Sequence, residues 1–315
     1  MDAPDTGVGQ SGAGRRIGPY TVLGGLDGDD GTGAPGRIPL PERRFVARGA
    51  DGAATVLISV PLPGADPGRF MAEAETSRYL LGPWSSPATE LAAPGTEPWH
   101  ARPYLPALPL PAALARHGGP LPERTVRAIG AALVETLMVG HGQNLTHAGV
   151  SPAAVLLAAD GPRLTCFGAV RAAAGDGAPR SGLPGLESGS LPPEQAAGDR
   201  PDPPGDVYAL GATLAYAATG HTVPERDELP AALRDVVTGC LARDPAARPR
   251  PAALLDAFAP LPDDAPGDAP APVQGRSHAC LTPGWLPGRV VASLARQSAG
   301  FLAADLPAPA AERQD

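Results

Sequence analysis

The chain has 315 residues and a formal net charge of −8, enough for one large or two small domains, and its acidic balance argues against nucleic-acid binding through a basic surface. Gly and Pro together fill about a quarter of the positions, which borders on a disordered composition, but 43% hydrophobic residues and several periodic segments exclude disorder throughout. Every basic residue is an arginine, which excludes Schiff-base and P-loop lysine chemistry because a guanidinium does not replace a compact ammonium.

The first five residues, Met1 to Asp5, lack a basic region followed by an apolar one, so no signal peptide is expected and the chain is assigned to the cytoplasm. No run of 18 apolar residues predicts a membrane span. Residues 1–17 read as a flexible tail. A short strand is predicted over 20–26, followed by a glycine-studded run from Asp27 to Gly36. Residues 44–48 and 55–60 read as a hairpin turning at 49–52. A helix is predicted over 69–81 after Asp66-Pro67, then strands and turns over 82–106. From Pro122 the texture becomes helical: Val126, Ile129, Leu133 and Leu137 fall at helical spacing within 123–139. Strands are expected at 154–157 and 163–165, a polar loop over 172–190, and helices over 206–218, 229–241 and 250–258. A Pro/Asp-rich linker is assigned to 260–280 and an amphipathic helix with a tail to 281–315. Cys166, Cys240 and Cys280 are odd in number and far apart, which predicts neither a disulfide framework nor a zinc site.

Three segments carry a resemblance. Asp206-Val207-Tyr208-Ala209-Leu210-Gly211 opens an apolar helix, Pro193-Glu194-Gln195 precedes it, and Cys240 to Pro249 contains Asp-Pro-x-x-Arg-Pro. In this order and spacing they resemble bacterial eukaryotic-like (Hanks-type) Ser/Thr protein kinases, over about residues 18–259. The resemblance implies an α+β, bilobal fold: a small antiparallel N-lobe sheet over 18–102, then a hinge and a mainly helical C-lobe over 103–259. It further implies that Glu194 pairs with Arg248 and that Asp206 accepts hydrogen bonds from the loop at 147–152.

The same register implies lost chemistry. Leu145 to Leu157 lies where the family carries its catalytic loop, with His147 and Pro152 fixing the alignment. The proton-accepting Asp is then Gly149, the Lys is Ser151 and the metal-holding Asn is Ala154; neither a Gly nor an Ala side chain accepts a proton or ligates a metal. Thr165-Cys166-Phe167-Gly168 lies where Asp-Phe-Gly is expected, so Cys166 replaces a metal-binding Asp with a soft sulfur poorly suited to magnesium and reads best as a buried, inert thiol. The phosphate-pairing Lys on strand 55–60 has no counterpart, and its helix partner, Glu73, is read first as a solvated helix residue, with a retained structural role as the other reading. Gly28, Gly31 and Gly33 give the backbone freedom a phosphate cradle wants, but Asp27, Asp29 and Asp30 would repel phosphate, and an acidic surface turn is the other reading. In the hinge, the Pro103 carbonyl and Leu105 N–H are the adenine-binding candidates. His147 is expected to pack and hydrogen-bond in the C-lobe core.

Phosphoryl transfer rests on metals, a lysine and an oriented nucleophile, so the resemblance implies a pseudokinase: a scaffold or regulator working through an unidentified protein partner. No cofactor is expected; ATP or adenosine would bind weakly and without magnesium. The alternative is a kinase with an unconventional site built on carboxylates such as Asp160 or Asp202. The linker and terminal helix are candidates for recruiting a partner or for folding back on the domain.

Overall fold

The computed structural model describes residues 14–27, 38–259 and 275–304. Its N-terminal part is a six-stranded antiparallel sheet in the order β1-β2-β3-β4-β6-β5. The strands are β1 (Arg16–Ile17), β2 (Tyr20–Gly25), β3 (Glu42–Gly49), β4 (Thr55–Pro61), β5 (Glu90–Leu91) and β6 (His100–Pro103). The β3–β4 hairpin forms because Gly49 N–H closes on the Ala54 carbonyl and Gly52 supplies a positive φ of 72°. Helix α1 (Pro67–Ser77) starts at Asp66, whose carboxylate accepts the Arg69 N–H, with Pro67 in the first turn. It ends four residues before the predicted boundary: the N–H groups of Arg78, Tyr79 and Leu80 turn to the carbonyls three residues back, which tightens the chain out of the helix.

The second part is helical around one large apolar core. A three-stranded sheet of β7 (Ala107–Pro109), β8 (Val155–Ala158) and β9 (Gly161–Leu164) lies at its upper edge. Its helices are α2 (Leu110–His117), α3 (Glu123–Gly142), α4 (Ala169–Ala173), α5 (Pro193–Ala197), α6 (Pro203–Thr219), α7 (Ala231–Cys240) and α8 (Pro251–Phe258). The predicted helical stripe of α3 is buried throughout, and Gly130 lets the Phe258 ring of α8 approach closely. Helix α6 is capped by Asp202 at its start and stopped by Gly220 in the left-handed conformation.

Residues 275–280, within the predicted linker, carry a 3₁₀ turn at Arg276–Ala279 that docks on α3. Glu135, fully buried, accepts the Ser277 N–H at 2.8 Å and the Ser277 hydroxyl at 2.5 Å, while Trp84 Nε1 donates to Ser277 Oγ at 2.9 Å. The terminal helix α9 (Gly288–Ala303) follows, with Trp285, Leu286, Val290 and Leu294 in the C-lobe core. It is therefore folded back on the domain along this face. Among the described residues no helix is long and apolar enough to cross a membrane.

Candidate functional site

The frame of the site is two anchored carboxylates, Asp206 buried and Glu194 half-buried. Asp206, in the first turn of α6, accepts the backbone N–H groups of His147 and Ala148 at 2.7 and 2.8 Å, and His141 Nε2 lies 2.9 Å from it. A carboxylate at a helix start is favoured by the helix dipole. Glu194 takes a bidentate pair of hydrogen bonds from Arg248 at 2.6 and 2.9 Å. Arg248 spends its remaining donors on the carbonyls of Ala242, Pro204 and Arg243, and its guanidinium lies over the Tyr208 ring. The segment between these anchors is held by Arg180, which is fully buried and donates to the carbonyls of Ala174 and Asp199 and to the Asp176 carboxylate.

In the loop at 147–154 the backbone leaves no room for a side chain at position 149. A Cβ built on Gly149 would sit 2.0 Å from the Cys166 carbonyl oxygen and 3.1 Å from the Ala169 nitrogen. Ser151 is half-buried at the start of a 3₁₀ turn, and the methyl of Ala154 is fully buried. Cys166 holds a left-handed backbone (φ 59°), an uncommon conformation for a non-glycine residue. Burial, reinforced by Glu42, pushes its thiol up to about 12, so it stays protonated at neutral pH. Among the described residues no group of three or more His, Cys, Asp or Glu could hold a metal ion. The residues at the two expected metal positions, Ala154 and Cys166, do not fit magnesium.

A buried ionic network occupies the interior beside them. Arg44, on β3, reaches from the sheet to the C-lobe: it donates to the Ala153 carbonyl at 2.9 Å and lies 3.4 Å from Thr165 Oγ1. Its other nitrogens form a bidentate ion pair with Asp27. Glu42, two residues earlier on the same strand face, accepts from the Ser59 hydroxyl of β4 at 2.8 Å and has Arg102 3.9 Å away. Arg102 donates to His100 Nδ1 at 3.2 Å, which places the ring proton on Nε2, 3.3 Å from Glu42. Burial lowers the His100 pKa, so the ring is neutral and works as a relay of hydrogen bonds. Burial alone would raise the Glu42 pKa, but His100, Arg102 and Arg44 outweigh it and hold the carboxyl well below the usual range. Two carboxylates and two guanidiniums thus balance each other out of water.

Of the two readings of Glu73 the geometry has the structural one: Arg171 of α4 clamps it with two hydrogen bonds of 2.8 and 2.7 Å. The pair ties α1 to the segment after Phe167-Gly168, and Gly168 (φ 74°) is required because a Cβ there would lie 2.0 Å from the Glu73 carboxylate. The Phe167 ring stacks edge-on against His147 and carries the Arg171 guanidinium on its face. The hydrogen-bonding expected of the His147 ring is not found: neither ring nitrogen has a partner among the described residues. Burial drives its pKa down to about 4, leaving it neutral.

On the adenine side, Pro103 ends β6 and Leu105 is exposed just beyond it. Between the lobes lies an apolar cluster of Leu26, Val46, Leu57, Ala107 and Leu156, against which Phe301 of α9 packs. Gly28, Gly31 and Gly33, with Asp29 and Asp30, lie outside the described residues. The two carboxylates considered for unconventional chemistry have other work: Asp202 caps α6, and Asp160 pairs with Arg163 at 2.6 Å. Sequence reasoning missed Glu42, Arg44, Arg102, Arg171 and Phe301. The one signal available was the two-residue spacing of Glu42 and Arg44, which puts both charges on one face if the strand predicted over 44–48 begins two residues earlier.

No protein-family model matches the chain. It is 33% identical over 275 residues to the probable serine/threonine-protein kinase PkwA of Thermomonospora curvata, covering 80% of this chain and 35% of that protein. It is 32% identical over 271 residues to the serine/threonine-protein kinase AfsK of Streptomyces coelicolor, covering 78% of this chain and 32% of that one. The chain thus spans about a third of the length of these relatives. Among solved structures, a point mutant of the Mycobacterium tuberculosis PknI kinase domain superposes with a TM-score of 0.58 at 24% identity, covering 78% of this chain and 96% of that domain. The antiparallel N-lobe sheet, the helical C-lobe and this superposition establish a bilobal protein-kinase-like fold in a chain whose homologues are bacterial serine/threonine protein kinases.

Proposed function

We propose that this chain is a pseudokinase domain, one that transfers no phosphoryl group and acts as a scaffold or regulator through protein contacts. The observation that carries the reading is the closed ionic network of Asp27, Arg44, Glu42 and Arg102 beside Gly149, Ala154 and Cys166. Phosphoryl transfer needs cations aimed at the phosphates and a base aimed at the nucleophile. Here the buried guanidiniums are already spent on carboxylates and backbone carbonyls. Pulling one away would leave a buried carboxylate unpaired, at a cost of about 3–5 kcal/mol. The segment from Ala174 to Asp199, tied internally by the buried Arg180, suits a protein-binding surface kept in one shape.

The test is phosphoryl transfer. The purified chain, given γ-labelled ATP with magnesium or manganese and a generic basic protein substrate, is expected to label neither itself nor the substrate. Autophosphorylation of the unmodified chain that disappears when the domain is unfolded overturns the proposal in favour of a kinase with an unconventional site.

A further inference from the structure

We propose that α9 is an interlobe clamp whose Phe301 closes the adenine side of the cleft, so that the helix end and an adenine ring are mutually exclusive ligands of one crevice. The helix is anchored in the C-lobe by Trp285, Leu286, Val290 and Leu294. Its other half crosses the hinge to the N-lobe, and each turn there makes a specific contact. Ser298 Oγ lies 3.3 Å from the Tyr104 hydroxyl, in the hinge between Pro103 and Leu105. Gln297 Nε2 donates to the Leu26 carbonyl at 3.3 Å, at the end of the strand that precedes the glycine-rich run. Phe301 meets the Tyr104 ring edge-on at 6.2 Å and packs on the apolar cluster formed by both lobes.

Two N-lobe residues are shaped to receive the helix. Gly24 has no side chain where one would collide: a Cβ there would lie 2.9 Å from the Phe301 ring. Arg48, on β3, donates to the carbonyls of Ala304, Phe301 and Leu302 at 2.7, 3.0 and 3.0 Å. These carbonyls lie at a helix end, the Phe301 one also accepting the Ala304 N–H, and a cation there is favoured by the dipole as well as by the hydrogen bonds. A glycine cradle for the ring and an arginine cap for the helix end, on neighbouring strands, form a built seat. A helix resting on a surface by apolar contact alone would need neither. The clamp shares its cleft with the noncatalytic reading but does not depend on it, since an active kinase could be closed in the same way.

The experiment compares adenosine binding by calorimetry in the full chain, unmodified and as Phe301→Ala, Arg48→Gln and Phe301→Leu. Adenosine lacks phosphates, so it reports on the crevice and not on the ionic network. Phe301→Ala is expected to bind adenosine at least about tenfold more tightly than the unmodified chain. Arg48→Gln, which loosens the helix end without touching the crevice, should shift affinity the same way, while Phe301→Leu keeps the plug and should resemble the unmodified chain. Hydrogen exchange over 297–304 should speed up when adenosine is added to Arg48→Gln. If neither Phe301→Ala nor Arg48→Gln gains affinity, or if 297–304 exchanges freely in the unmodified chain, the clamp is wrong. Neither result bears on phosphoryl transfer, so the two proposals fail separately.

Discussion

Restoring an acid at position 149 should damage the protein without awakening it. Gly149 is buried, and its φ is not in the left-handed region, so space is the objection to a side chain there. The new Cβ would stand 2.0 Å from the Cys166 carbonyl oxygen, far inside van der Waals contact, and the obstruction is backbone, not a flexible side-chain tip. Relief requires moving the Cys166–Gly168 turn, which is pinned by Gly168 N–H to the His147 carbonyl at 2.8 Å and by Val170 N–H to the Ala148 carbonyl at 2.8 Å. Overpacking of this kind costs about 1–3 kcal/mol, a melting-temperature loss on the order of 3–10 °C in a domain of this size. Gly149→Ala measures the steric part alone. Gly149→Asp should lose more, because it also places a carboxylate at a buried position. Scanning fluorimetry gives the melting temperatures, and a labelled-ATP assay on the same samples gives the activity. A Gly149→Ala variant that melts with the unmodified chain would refute the steric argument, and phosphoryl transfer by Gly149→Asp would refute the view that one acid is not enough.

Two further outcomes follow from the buried groups. Glu194→Ala leaves Arg248, whose side chain is only 1% exposed, without its anion, and should destabilise the domain by about 3–5 kcal/mol in urea melts; a loss below about 1 kcal/mol contradicts a structural role for the pair. His147 has a folded pKa depressed to about 4 against about 6.5 unfolded, so stability is full above pH 6.5 and falls as pH drops toward 4, by on the order of 3 kcal/mol, because the unfolded chain takes up the proton first. His147→Phe should flatten that part of the pH–stability curve relative to the unmodified chain; curves of equal slope would show that the ring is not what titrates.

What the sequence allowed to be read was local or carried by spacing. Val126, Ile129, Leu133 and Leu137 announce α3 because a helix folds its own period into one face, and all four are buried. Asp206, Glu194 and Arg248 sit in runs whose order is informative, and they meet the partners expected of them. Helix α2 was harder, because Pro109 and Pro111 flank and enter its first turn and read as loop punctuation. The ionic network was invisible for a different reason. Arg44 faces Ser59 across one strand pair, and Ser59 faces His100 across another, so the cluster exists only once three strands are in register. A charged residue in a short strand otherwise reads as solvated. The structural role of Glu73 stood only as the second reading because its partner, Arg171, lies 98 residues away, and an isolated Glu on an amphipathic helix is ordinarily exposed. Phe301 shows a helical rhythm in sequence, but nothing local tells a helix that closes a cleft from one that recruits a partner.

The most direct test of the noncatalytic reading is calorimetry of the unmodified chain with ATP, ATP plus magnesium, and adenosine. The Arg44 and Arg102 guanidiniums are committed to Asp27 and Glu42, so neither is free for a triphosphate, and Ala154 and Cys166 offer magnesium no ligand. ATP is therefore predicted to bind no more tightly than adenosine, with no gain from magnesium. Magnesium-dependent ATP binding that is much tighter than adenosine binding would mean that the network opens to admit phosphates, and would contradict the account.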